Sequence, residues 1–78
     1  MVRLVPISGK RLVHILQAKG FQLVRKRGSH KFFYHPETTR TTVIPVHNNE
    51  DVGPGLLRKI LRDIEMDVNE FDELRKEL

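Results

Sequence analysis

One imidazole, His30, sits inside the run Arg25-Lys26-Arg27-Gly28-Ser29-His30-Lys31, among four cations and close to a glycine. Free imidazole titrates close to neutrality, so it serves as general base or general acid. Arg25, Lys26, Arg27 and Lys31 are groups that hold phosphate, the arginines through two parallel hydrogen bonds. The Ser29 hydroxyl and the backbone N–H groups of a turn add further donors for a phosphate oxygen. RNA carries its own nucleophile, the 2′-hydroxyl. A protein that cleaves it has to remove that proton, protonate the leaving 5′-oxygen and stabilise the negative charge on phosphorus. This chemistry calls for no metal and no cofactor, and it predicts cleavage of RNA but not of DNA.

Three other histidines are present. His47 follows an apolar run that ends in Val46, and a loop there can bring it to the same sheet edge as His30, as a second acid or base. The plainer reading is a loop residue bonded to its neighbours. His35 precedes Pro36 and belongs to a turn, and His14 reads as a partly buried structural residue of a helix. The four do not have the paired spacing of a structural zinc site. A phosphate-binding glycine loop, a serine-nucleophile elbow and a paired-carboxylate constellation are all missing from the sequence.

The same residues also fit plainer roles. A histidine at a hairpin turn is commonly just an exposed polar residue, and a basic run more often binds phosphate than cleaves it. The alternatives to a nuclease are therefore a non-catalytic RNA-binding module and a protein-interaction domain with a basic face.

The elements that position His30 follow from local pattern. Ser8 is a good N-cap, Leu12, Val13, Ile15 and Leu16 recur at helical spacing, and Gly20 suits the left-handed end, which predicts a helix over 8–19. Residues 21–27 and 30–35 read as strands joined at Gly28-Ser29, where glycine at the first central position fits a type II′ turn. Residues 36–40 form a turn or loop. Residues 41–46 are a third strand, with Pro45 placing its end on an edge or stopping the pairing. Residues 47–53 read as polar loop. Pro54 favours a helix start, and Leu56, Leu57, Ile60, Leu61 and Ile64 make its apolar stripe. Asn69 followed by Asp72 resembles a capping box for a last short helix with Phe71, Leu74 and Leu78. That segment is too short to hold alone and must dock or fray.

The order is α-β-β-β-α with a terminal helical extension. It predicts an α+β fold: a three-stranded antiparallel meander with helices on one face. Double-stranded-RNA-binding domains share this order, which raises the expectation of RNA without establishing it. In the hairpin, Arg27 falls opposite His30, Arg25 opposite Phe32 and Leu23 opposite Tyr34, all on one face. Lys26, Lys31, Val24 and Phe33 line the other. The first face carries more apolar residues away from the turn, which favours it as the core side with His30 emerging past the helical cover. The other arrangement is an open face where Phe32 and Tyr34 stack on bases.

The bulk properties fit this reading. Seventy-eight residues make one domain, 1–78, with a core of about 8–66 and a short extension over 67–78. A chain of this size has a small margin of stability. With no cysteine it has neither disulfide nor thiolate metal site, and no apolar run approaches the length of a membrane span or a secretory signal. Cytoplasmic location is the expectation. Residues 1–47 carry nine Lys/Arg and one acid, for +8, and residues 48–78 carry five Lys/Arg and nine acids, for −4. A basic body with an acidic tail points to a polyanionic partner for the first part.

The assembled pattern resembles the HicA family of toxin–antitoxin ribonucleases over roughly residues 8–71. The matching pieces are a first helix ending in Lys19-Gly20-Phe21, the Arg27-Gly28-Ser29-His30 centre and the Tyr34-His35-Pro36 exit. Val43-Ile44-Pro45-Val46-His47 follows, then Gly55-Leu56-Leu57-Arg58-Lys59-Ile60-Leu61. Leu56 is a minor departure, since many relatives carry a small polar residue there. The resemblance implies a double-stranded-RNA-binding-like fold and a single essential histidine, here His30. It implies mRNA cleavage that arrests translation, neutralisation by a HicB antitoxin that covers the active site, and a bacterial or archaeal cytoplasm.

Overall fold

A computed structural model describes residues 4–47 and 50–78. The elements in chain order are β1 (Ile7–Ser8), α1 (Gly9–Ala18), β2 (Gln22–Arg27), β3 (His30–Tyr34), β4 (Thr41–Pro45), β5 (Asp51–Val52), α2 (Pro54–Asp63) and α3 (Val68–Glu77). The fold is α+β, and β2, β3 and β4 form the expected three-stranded antiparallel sheet. The short pair β1 and β5, also antiparallel, falls partly in the segment read as polar loop. Two residues per strand are too few for an alternation to show in the sequence.

Local chemistry explains the helix ends. The Ser8 hydroxyl accepts from the Arg11 N–H and caps α1. Gly20, at φ +96, takes the left-handed step that releases the chain toward β2. Pro54 opens α2 after Gly53. α3 begins earlier than the capping-box reading placed it: its cap is Asp67, whose carboxylate accepts from the Asn69 N–H. The helix docks rather than frays, because Phe71 is buried in the core with Val68 and Leu74 packed at its margin.

The core lies between the helices and one face of the sheet. Leu12, Ile15 and Leu16 of α1 and Leu57, Ile60 and Leu61 of α2 meet Phe33 of β3 and Ile44 of β4. The buried Thr42 hydroxyl donates to Asp63 Oδ2 at 3.0 Å, and Lys59 Nζ reaches the same oxygen at 3.0 Å, so β4 is tied to the end of α2.

The structure decides between the two arrangements left open for the sheet faces and corrects one expected pairing. The covered face carries Phe33, not the face of Phe32 and Tyr34. The reading in favour of the latter counted apolar residues on β2, but β2 is an edge strand whose residues are all exposed, with Leu23 at 44% and Val24 at 59%. Burial is decided on β3 and β4, where Phe33, Thr42 and Ile44 share a side. The predicted pairs Arg27–His30 and Arg25–Phe32 are present, but Leu23 faces Phe33 and Gln22 faces Tyr34. A bulge between Leu23 and Arg25 shifts the register by one.

Candidate functional site: the hairpin tip

The tip is shaped by Gly28. It has φ +58 and open space around it, while Ser29 keeps an ordinary negative φ, the combination a type II′ turn requires. The turn sets His30 directly across from Arg27 on one side and Pro45 on the other. His30 is exposed, so its ring is available to a ligand. The histidine ring hydrogen bonds among the described residues belong to His35 and His47, and none to the His30 ring.

His47 reaches the same place from β4. The Val46 N–H donates to the Ser29 carbonyl at 2.7 Å, which carries the pairing one step past Pro45. Beyond it, His47 Nε2 lies 3.1 Å from Ser29 Oγ in a hydrogen bond. Ser29, His30 and His47 therefore meet at one end of the sheet. The end of β4 is also held from behind. A Cβ on Gly9, at the start of α1, would sit 2.9 Å from the Pro45 carbonyl and 3.2 Å from Val46 Cα. Only a glycine lets α1 approach that strand end so closely, a packing demand that the sequence pattern alone does not disclose.

The four cations divide between faces. Arg25 and Arg27 share the open face with His30, and the Arg25 guanidinium lies 5.7 Å from the centre of the Phe32 ring. Lys26 and Lys31 sit opposite each other on the other side of the ribbon. Like charges in register repel, which an anion between or beside them would relieve. The ion pairs among the described residues use Lys19, Arg40, Lys59, Arg75 and Lys76, and none uses a hairpin cation. Most of the acids lie in α2, α3 and the segment between them, and among the described residues the hairpin cations stay without an ion-pair partner.

The other two histidines are placed elsewhere. His35 is a structural residue: its Nε2–H donates to the Lys19 carbonyl at 3.0 Å, and its Nδ1 accepts from the N–H groups of Glu37 and Thr38. Its ring meets Phe21 edge-on with centres 5.0 Å apart. It thus joins the end of α1 to the β3–β4 turn. His14 is exposed on α1, not partly buried as expected, because the buried stripe of that helix is Leu12, Ile15 and Leu16.

Comparison with known proteins bears on this geometry. The HicA toxin family, described as HicA toxin of bacterial toxin-antitoxin, matches residues 9–66, a span that includes the hairpin, His47 and α2. Among curated proteins, none matches the chain.

Proposed function

The chain belongs to the HicA family of toxins from bacterial toxin–antitoxin systems, and from that premise we propose that it is an endoribonuclease that cleaves mRNA and arrests translation. The observation that carries the reading is the bond that brings His47 to Ser29, next to His30, at the tip of a ribbon whose cations make no ion pair among the described residues.

In this mechanism one histidine takes the proton from the 2′-hydroxyl as its oxygen attacks the adjacent phosphorus. The bond from phosphorus to the 5′-oxygen breaks, and an imidazolium gives that oxygen its proton. The products are a 2′,3′-cyclic phosphate and a 5′-hydroxyl. His30 is the essential group and His47 the partner, since a two-proton reaction is served by an acid and a base. Arg25 and Arg27, on the His30 face, hold the non-bridging oxygens as their charge grows, an electrostatic contribution that is often the largest in such reactions. Ser29 supplies a further hydrogen bond and orients His47. Lys26 and Lys31 attract the flanking phosphates from the other side of the ribbon. No step requires a metal ion.

A toxin of this class has an antitoxin partner. A HicB-type protein covering the hairpin would mask His30 and the cations together, and an acidic surface would suit it.

Substrate chemistry tests the reaction. Incubated with a chelator and an RNA oligonucleotide, the protein is expected to leave 2′,3′-cyclic phosphate ends. A single 2′-deoxy substitution at the cleaved nucleotide is expected to stop cleavage there. Cutting at the deoxy position would rule out attack by the 2′-hydroxyl.

A further inference from the structure

The open face of the sheet continues the site away from the hairpin tip. His30, Phe32 and Tyr34 alternate along β3 on this face, so successive members are about 6.6 Å apart along the strand. Arg27 and Arg25 line the row from β2, and Val43 and Thr41 line it from β4. Phe32 and Tyr34 are half-buried, and neither they nor Val43 belong to the core or pack against it.

Half-exposed aromatics beside arginine are in themselves ordinary cross-strand partners. Three features together give this row a different meaning. It begins at the exposed histidine, it pairs rings with cations that make no ion pair among the described residues, and it runs along the face opposite the core. Alternating π faces and positive charge match an unpaired nucleic acid strand, whose bases offer flat faces and whose backbone is negative. A duplex keeps its base faces stacked inside and has nothing to offer the two rings.

We infer that Phe32 and Tyr34 are base-stacking positions for the unpaired nucleotides next to the phosphate held at His30, and that the substrate class is single-stranded RNA. The inference rests on the ribonuclease reading above. Arg25 serves twice, keeping the Phe32 ring in place through its cation–π contact and meeting a phosphate with its outer edge.

The test uses the full chain in two backgrounds. In His30→Ala protein, which cannot consume its ligand, binding of a short unstructured RNA containing 2-aminopurine is followed by fluorescence. In protein with His30 intact, cleavage is followed as KM and kcat. Phe32→Ala and Tyr34→Ala are each expected to weaken binding and raise KM about 5- to 100-fold, with kcat nearly unchanged. Tyr34→Phe and Phe32→Tyr keep a π face and are expected to retain binding, which separates stacking from damage to the fold. A fully paired duplex of the same sequence is expected to be a poor substrate. Folded alanine variants that bind and cut RNA like the parent would leave this face to protein contact and overturn the inference, as would equal cleavage of duplex and single strand. If the parent cuts no RNA at all, the ribonuclease reading fails instead, and 2-aminopurine fluorescence still reports whether the rings stack on bases.

Discussion

Ser29 and His47, eighteen positions apart in sequence, are joined side chain to side chain by the 3.1 Å contact between Oγ and Nε2. The bond closes the hairpin tip against the end of β4 and brings a second imidazole to Ser29, the chain neighbour of His30. It makes the hairpin and the strand that follows one site rather than two.

The contact gives His47 a testable role. His47→Ala is expected to lower kcat by about 10²–10⁴, the usual worth of a general acid or base, with little effect on KM. The pH–rate profile should lose one limb of its bell, a change that a positioning role alone would not produce. An unaltered profile with a small rate loss would reduce His47 to a residue that steadies Ser29.

Gly20 links the end of α1 to His35. A Cβ there would lie 2.8 Å from His35 Nε2, and the backbone is at φ +96. Gly20→Ala is expected to cost about 2–3 kcal/mol, combining left-handed strain with loss of the His35 bond to the Lys19 carbonyl. Gly28→Ala meets open space and should cost only the strain, about 1–2 kcal/mol. Urea unfolding of the two variants measures the difference.

Phe71 makes α3 part of the fold although that helix lies beyond the family match. The ring is 1% exposed. Phe71→Ala is expected to destabilise the chain by about 3–5 kcal/mol, a large share of a small domain's margin. If α3 unfolds with the rest, the urea midpoint falls while the slope is kept.

Asp72 gives α3 an acid sensitivity. Hydrogen bonds from Arg75 and Lys76 hold its carboxyl below the ordinary aspartate value. A carboxylate stabilised in the folded state contributes fully above its unfolded pKa and loses that contribution as pH falls through the folded one. Stability should therefore drop below about pH 4, and Asp72→Asn should flatten that part of the curve. Lys76 is well exposed and Asp72 and Arg75 keep partial contact with solvent, so the change is small.

Much of this molecule is legible in the sequence because local signals agree with the tertiary result. Ser8, Gly20 and Pro54 mark helix ends by capping, and Gly28 marks the turn. Those signals suffice to set His30 opposite Arg27. The covered face of the sheet is not legible in the same way. β2 overhangs the helices, so Leu23 and Val24 are apolar without being buried, and the bulge between Leu23 and Arg25 cancels the alternation that would have given the register. The Ser29–His47 bond depends on how β4 returns past the tip, a three-dimensional relation that a loop histidine does not announce. Gly9 likewise looks like an ordinary helix-start residue until the Pro45 carbonyl is found against it.

The measurement closest to the central claim compares the parent protein with His30→Ala on one unstructured RNA in the presence of chelator. Cleavage should vanish in the variant, while its unfolding curve and its RNA affinity stay near those of the parent. A folded His30→Ala protein that still cuts RNA at the parent's rate would contradict the account.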